Sequence, residues 1–121
     1  MKNLIRTIIV TTLLVCLMGT IAFAKAGSYN STYEMKGGVF SKWIQPKSKC
    51  TTTITPRVGT AGVNMTVVWA HYTILGWDGP CKTTSSTKKG TVTFKSNKKR
   101  KVWLRNPTGK MWKGNVSFKW D

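Results

Sequence analysis

Acid is what this chain has least of. Its 121 residues hold three Asp or Glu and one His, set against 20 Lys or Arg. That shortage removes most catalytic chemistry at once, because general acid–base work draws on positioned pairs of titratable groups. Glu34, Asp78 and Asp121 stand far apart in sequence, a poor basis for the carboxylate pair of glycoside hydrolysis. A Ser-His-Asp set would have to be built on His71, and no G-x-S-x-G turn is present. His71 lies in an apolar run among Trp69, Tyr72 and Ile74, where a lone imidazole reads as a structural hydrogen-bonding group. Gly37-Gly38 lacks the Lys and Ser/Thr that complete a phosphate-cradling loop. The reading is a non-enzyme without cofactor or metal.

Long apolar runs are also scarce. The main one, Ile8–Met18, is shorter than the roughly 18–20 residues a spanning helix needs. Lys2 and Arg6 precede it and Ala22-Phe23-Ala24 follows it, which is the layout of a cleaved signal peptide over residues 1–24. Removing those 24 of 121 residues leaves 97, enough for one domain with a thin core. Cysteine is sparse too. Cys16 leaves with the signal, and Cys50 and Cys81 remain as an even pair in an exported chain, which predicts one disulfide. At 31 positions apart, such a bridge would stabilise the fold by about 3–4 kcal/mol. Two cysteines and one His fall short of the four ligands of a structural zinc site.

What remains is abundant in β-branched residues, tryptophan and positive charge. Period-two alternation, the mark of half-buried strands, runs through three C-terminal segments. Val92 and Phe94 share a face in Gly90–Lys95, as do Val102 and Leu104 in Lys101–Arg105 and Val116, Phe118 and Trp120 in Val116–Trp120. Upstream, Val39–Gln45 and Cys50–Thr55 read as strands, each stopped by a proline, Pro46 or Pro56. Val63–Ile74 is apolar on one face at first and on both faces later, which suits a central strand. Asn106-Pro107-Thr108-Gly109 has the residues of a type I turn, and Thr83–Lys89 reads as a solvated loop. The expectation is all-β: a small antiparallel sandwich or barrel of six or seven short strands over residues 38–121. Residues 25–37 form a polar lead or an edge strand before it.

Charge then selects the partner. Without Lys2 and Arg6, 18 basic residues face three acids, a net charge of +15. Eleven of the basic residues lie in the C-terminal strands of residues 88–121. Self-repulsion at this density opposes compaction, so the charge points to an anionic partner. The residues expected to carry binding are Lys95, Lys98, Lys99, Arg100, Lys101, Trp103, Arg105, Lys110, Trp112 and Lys113. Trp103 and Trp112 are read as exposed indoles between cations, suited to a membrane interface or to stacking, while Trp43 and Trp120 are read as core. Export moves the expected anion to the cell envelope: lipid headgroups or phosphate-bearing wall polymers, with an antimicrobial outcome. Extracellular nucleic acid and an acidic protein are the alternatives.

Overall fold

The computed structural model describes residues 25–121, so the expected signal peptide lies outside the described residues. Nine strands form: β1 (Gly27–Met35), β2 (Gly38–Phe40), β3 (Lys49–Val58), β4 (Asn64–Thr73), β5 (Gly76–Asp78), β6 (Cys81–Ser85), β7 (Gly90–Lys95), β8 (Lys101–Arg105) and β9 (Trp112–Trp120). They make two antiparallel sheets, one in the order β1-β9-β3-β7 and one in the order β2-β8-β4-β5, with β6 also paired to β4. There is no helix among the described residues, and the sheets do not close into a barrel.

Alternation explains how the sheets meet. Cys50, Thr52 and Ile54 of β3 are buried with Val92 and Phe94 of β7, and with Trp112, Val116 and Phe118 of β9. From the other sheet come Met65, Val67 and Trp69 of β4 and Val102 and Leu104 of β8, forming one cluster. Each fully buried Val, Ile, Leu or Phe side chain there contributes about 1.5–3 kcal/mol. Asn106 ties the β8–β9 turn to this core, its Nδ2 donating to the Met35 carbonyl at 3.0 Å and its Oδ1 accepting from Thr108 N–H at 3.0 Å.

Several expectations need correcting. Residues 25–37, read as a polar lead or an edge strand, contain the edge strand β1, paired along its length with β9 from Gly27↔Trp120 to Met35↔Trp112. β3 continues through Pro56, because β7 has already ended at the Ile54↔Gly90 pair and a proline is tolerated beside an unpaired flank. The first part of the expected Thr83–Lys89 loop belongs to β6, whose polar residues pair with Asn64–Val68 at the border of the sheet. Val39–Gln45 is a strand only through Phe40, followed by a single bridge, Ile44↔Arg100.

The cysteines also depart from expectation. Cys50 and Cys81 are both free thiols. Cys50 is buried on the inner face of the first sheet, while Cys81 is exposed at the start of β6 on the second sheet, its thiol directed at the Gly79 carbonyl. Burial raises the Cys50 thiol to a pKa of about 11, leaving it neutral and inert at ordinary pH.

Candidate functional site

The outer face of the second sheet carries the most unusual surface of the molecule. Alternation along β8 turns Lys101, Trp103 and Arg105 outward, opposite buried Val102 and Leu104, as the sequence pattern predicts. β2 lies alongside with Phe40 opposite Trp103, and on the other flank Tyr72 of β4 sits opposite Trp77 of β5. Val68 and Ala70, the outward residues of β4 between these flanks, are buried. An aromatic layer therefore covers the middle of a face that would ordinarily be polar.

The rings touch in series. Phe40 stacks on Trp103 with centroids 5.1 Å apart and planes 12° from parallel, and its ring also lies 4.8 Å from Trp77. Trp77 meets Trp43 at 5.9 Å and Tyr72 edge-on at 5.5 Å. Gly38 makes room for this packing, since a Cβ there would come within 2.7 Å of Trp103 Nε1 and 2.9 Å of the Leu104 carbonyl. Yet the layer is not sealed: Phe40 is 40% exposed, Trp43 48% and Tyr72 69%.

Cations lie over the rings. Lys101 Nζ stands 5.0 Å from the Trp43 centroid, 5.6 Å from Trp77 and 6.0 Å from Phe40. Lys99 Nζ is 6.0 Å from Trp43, and the Arg105 guanidinium is 4.6 Å from Trp103. A cation within about 6 Å of a ring is attracted by its quadrupole. The arrangement joins apolar area to fixed positive charge with no acid among the rings.

The expected binding residues thus divide. Lys99, Lys101, Trp103 and Arg105 belong to the aromatic layer, while exposed Lys95 ends β7 and exposed Lys98 lies in the loop between β7 and β8. Arg100 serves the fold, its Nη1 donating to the Trp69 carbonyl at 3.2 Å while its backbone bridges Ile44. Lys110 lies in the β8–β9 turn at the opposite end of β8, and Lys113 sits on the first sheet, 3.9 Å from Glu34. Trp112 is not an exposed indole. It is 0% exposed, and its Nε1 donates to Thr60 Oγ1 at 2.9 Å. Trp43, expected in the core, is instead half exposed in the aromatic layer, and Trp120 packs at the core's margin with its Nε1 donating to the Lys25 carbonyl.

Sequence reasoning also passed over Phe40, Tyr72 and Trp77. The shared parity of Val68, Ala70 and Tyr72 was the available signal, since an apolar outer face on β4 calls for something to cover it. Elsewhere, an open depression on the first sheet is lined by Asn30, Thr32, Thr53, Thr55, Asn115 and Ser117, neutral residues of an ordinary solvated face. No group of three or more metal-ligating side chains occurs among the described residues.

No protein-family model matches the chain, and no curated protein matches it. Among the solved structures that resemble it at a distance are a mitogen and a pilus protein. The Yersinia pseudotuberculosis-derived mitogen shares 10% identity at a TM-score of 0.48, covering 81% of this chain and 87% of the mitogen. A Bacillus endospore appendage protein, from a family of disulfide-linked pili, shares 9% identity at a TM-score of 0.42, covering 79% of this chain and 89% of its own.

Proposed function

We propose that this protein is exported and docks on anionic cell-envelope surfaces through the outer face of its second sheet. The observation that supports the reading is the aromatic layer of Phe40, Trp43, Trp77 and Trp103, with Phe40 and Trp43 nearly half exposed and Lys99, Lys101 and Arg105 held over its rings. Cations resting on exposed indoles need move little to reach a phosphate, and the indoles suit the headgroup zone, where one side is apolar and the other wet. The net charge of residues 25–121 supplies long-range attraction, and each basic residue near an anionic leaflet adds about 1 kcal/mol. Attachment of this kind is the first step of membrane damage, the antimicrobial outcome that the composition suggests.

The test is sedimentation of the purified protein with anionic and zwitterionic vesicles across a salt series, following tryptophan emission. The expected result is attachment to anionic vesicles alone with a blue shift, lost in a Lys98→Gln/Lys99→Gln/Lys101→Gln variant. Arg100 is left in place because it holds the Trp69 carbonyl. Undiminished attachment of the triple variant would remove this patch from the reading.

Single-stranded nucleic acid is the second reading, favoured by the near-parallel Phe40–Trp103 pair under Arg105, a platform on which bases stack. It requires oligonucleotide binding whose log–log salt slope is about −0.7 per neutralised phosphate.

A further inference from the structure

The β4–β5 hairpin ends in two side chains that touch almost nothing. Ile74 is 100% exposed and Leu75 96%. Folding does not explain them, because burying either would stabilise the chain, and large aliphatics side by side in water are the uncommon case. The tip is also held in shape. Thr73 Oγ1 accepts from Leu75 N–H at 3.2 Å and donates to the Gly76 carbonyl at 2.7 Å. Gly76 takes the left-handed backbone at φ 106°, so the turn closes without a positive φ at Ile74 or Leu75.

The surroundings are ordered by polarity. From Tyr72 to Trp77 the sequence carries no charge. Behind the tip stand Tyr72 and Trp77, and behind them Phe40 and Trp43, both packed on Trp77. The antiparallel register brings cations to the same end. Lys101 pairs with Ala70, and Lys98 and Lys99 lie in the loop just before it, with Lys99 Nζ 6.0 Å from the Trp43 ring. On the first sheet, Lys95 and Lys49 pair with each other where β7 leads into that loop. The nearby acid, Asp78, is turned to its own backbone and accepts from Gly79 N–H at 2.8 Å.

We infer that the Ile74-Leu75 tip inserts into a bilayer bearing anionic phosphate headgroups. The aliphatic pair enters the acyl region, Tyr72, Trp77 and Trp43 lie at headgroup level, and Lys98, Lys99 and Lys101 meet phosphates. Interfacial proteins are graded in this way, from aliphatic through aromatic to basic. The inference rests on the surface-docking reading and narrows it: a hydrated wall polymer has no apolar phase to receive Ile74 and Leu75.

The experiment compares the protein with an Ile74→Ser/Leu75→Ser variant on phosphatidylglycerol-containing vesicles. Two readouts are followed: quenching of tryptophan by brominated acyl chains, and the bound fraction at low and at 1 M salt. Near-UV circular dichroism checks that the variant is folded, as an exposed tip leads one to expect. The wild type should be quenched and should stay partly bound in high salt. The variant should attach at low salt but lose quenching, and its high-salt affinity should fall at least about tenfold. Wild-type attachment without quenching, or equal quenching of the variant, overturns insertion while leaving surface docking intact. Complete release of unquenched protein by soluble polyphosphate does the same and points to a polymer. Failure of the wild type to bind anionic vesicles at low salt overturns both.

Discussion

Lys101 of β8 and Trp43, from the segment after β2, are partners on the outer face of the second sheet, with the ammonium 5.0 Å from the centre of the indole. The same ammonium also lies within reach of Trp77 and Phe40, so one cation is shared by three rings. Cation–π contacts at exposed sites are worth about 0.5–1 kcal/mol each. A Lys101→Gln variant should therefore lose about 1 kcal/mol of stability in urea unfolding. Lys110→Gln, in a solvated turn, should leave the unfolding midpoint unchanged, and equal effects from the two would show that the ring contacts contribute nothing.

Trp112 and Trp43 exchange the roles their neighbours in sequence suggest, and substitution separates them. Trp112→Ala opens a hole in the core and strands the Thr60 hydroxyl, so it should cost about 3–5 kcal/mol. Trp43→Ala should cost far less stability while weakening attachment to anionic vesicles. Unfolding curves and vesicle binding on the two purified variants would check both halves.

How far the sequence revealed these roles depends on where alternation can be given a phase. In Gly90–Lys95 and Lys101–Arg105 a clean alternation of apolar and polar residues names the buried face directly, and both strands lie where expected. The Asn106–Gly109 turn was equally legible from its residue types. Trp112 was legible but missed, because it shares parity with buried Val116 and Phe118 once β9 is extended backwards. Trp43 was not. The chain leaves the ladder after Phe40, Ser41 turns inward and its Oγ accepts from Val102 N–H at 2.7 Å, and Ile44 then takes the buried position. Nothing local announces that reset. β6 was hidden for a related reason, since a border strand facing solvent needs no apolar residues. Cysteine spacing, for its part, carries no information about which sheet each residue joins.

The two thiols should differ sharply in reactivity. Exposed Cys81 should react at once with a thiol-specific disulfide reagent at pH 8, giving one equivalent from folded protein. Cys50, buried and raised to about 11, should yield the second equivalent only in denaturant. Two fast equivalents, or none, would contradict this arrangement.

Asp121 holds the segment before β3 against the end of β9. Its Oδ1 accepts from the backbone N–H groups of Lys47, Ser48 and Lys49 at 3.1, 2.8 and 3.0 Å, and the Ser48 hydroxyl donates to Oδ2. The Ser48 hydroxyl and these backbone donors hold the carboxyl well below the usual Asp range. A depressed folded-state value means that the clamp stabilises the fold fully above the ordinary Asp pKa near 3.8 and is lost as pH falls below it. Asp121→Asn should lower the thermal midpoint at pH 7 and narrow the gap between pH 7 and pH 3. A gap as wide as in the wild type would show that this clamp does not set the acid sensitivity of the fold.

In the first sheet the last strand to be made, β9, lies between β1 and β3. A chain emerging N-terminus first therefore holds β1 and β3 without their shared neighbour until β9 begins to emerge at Trp112, since Met35 pairs with Trp112 and Val58 with Lys113. Pairings across such long separations form slowly. The topology thus keeps the growing polypeptide from closing its first sheet before its C-terminal segment is available.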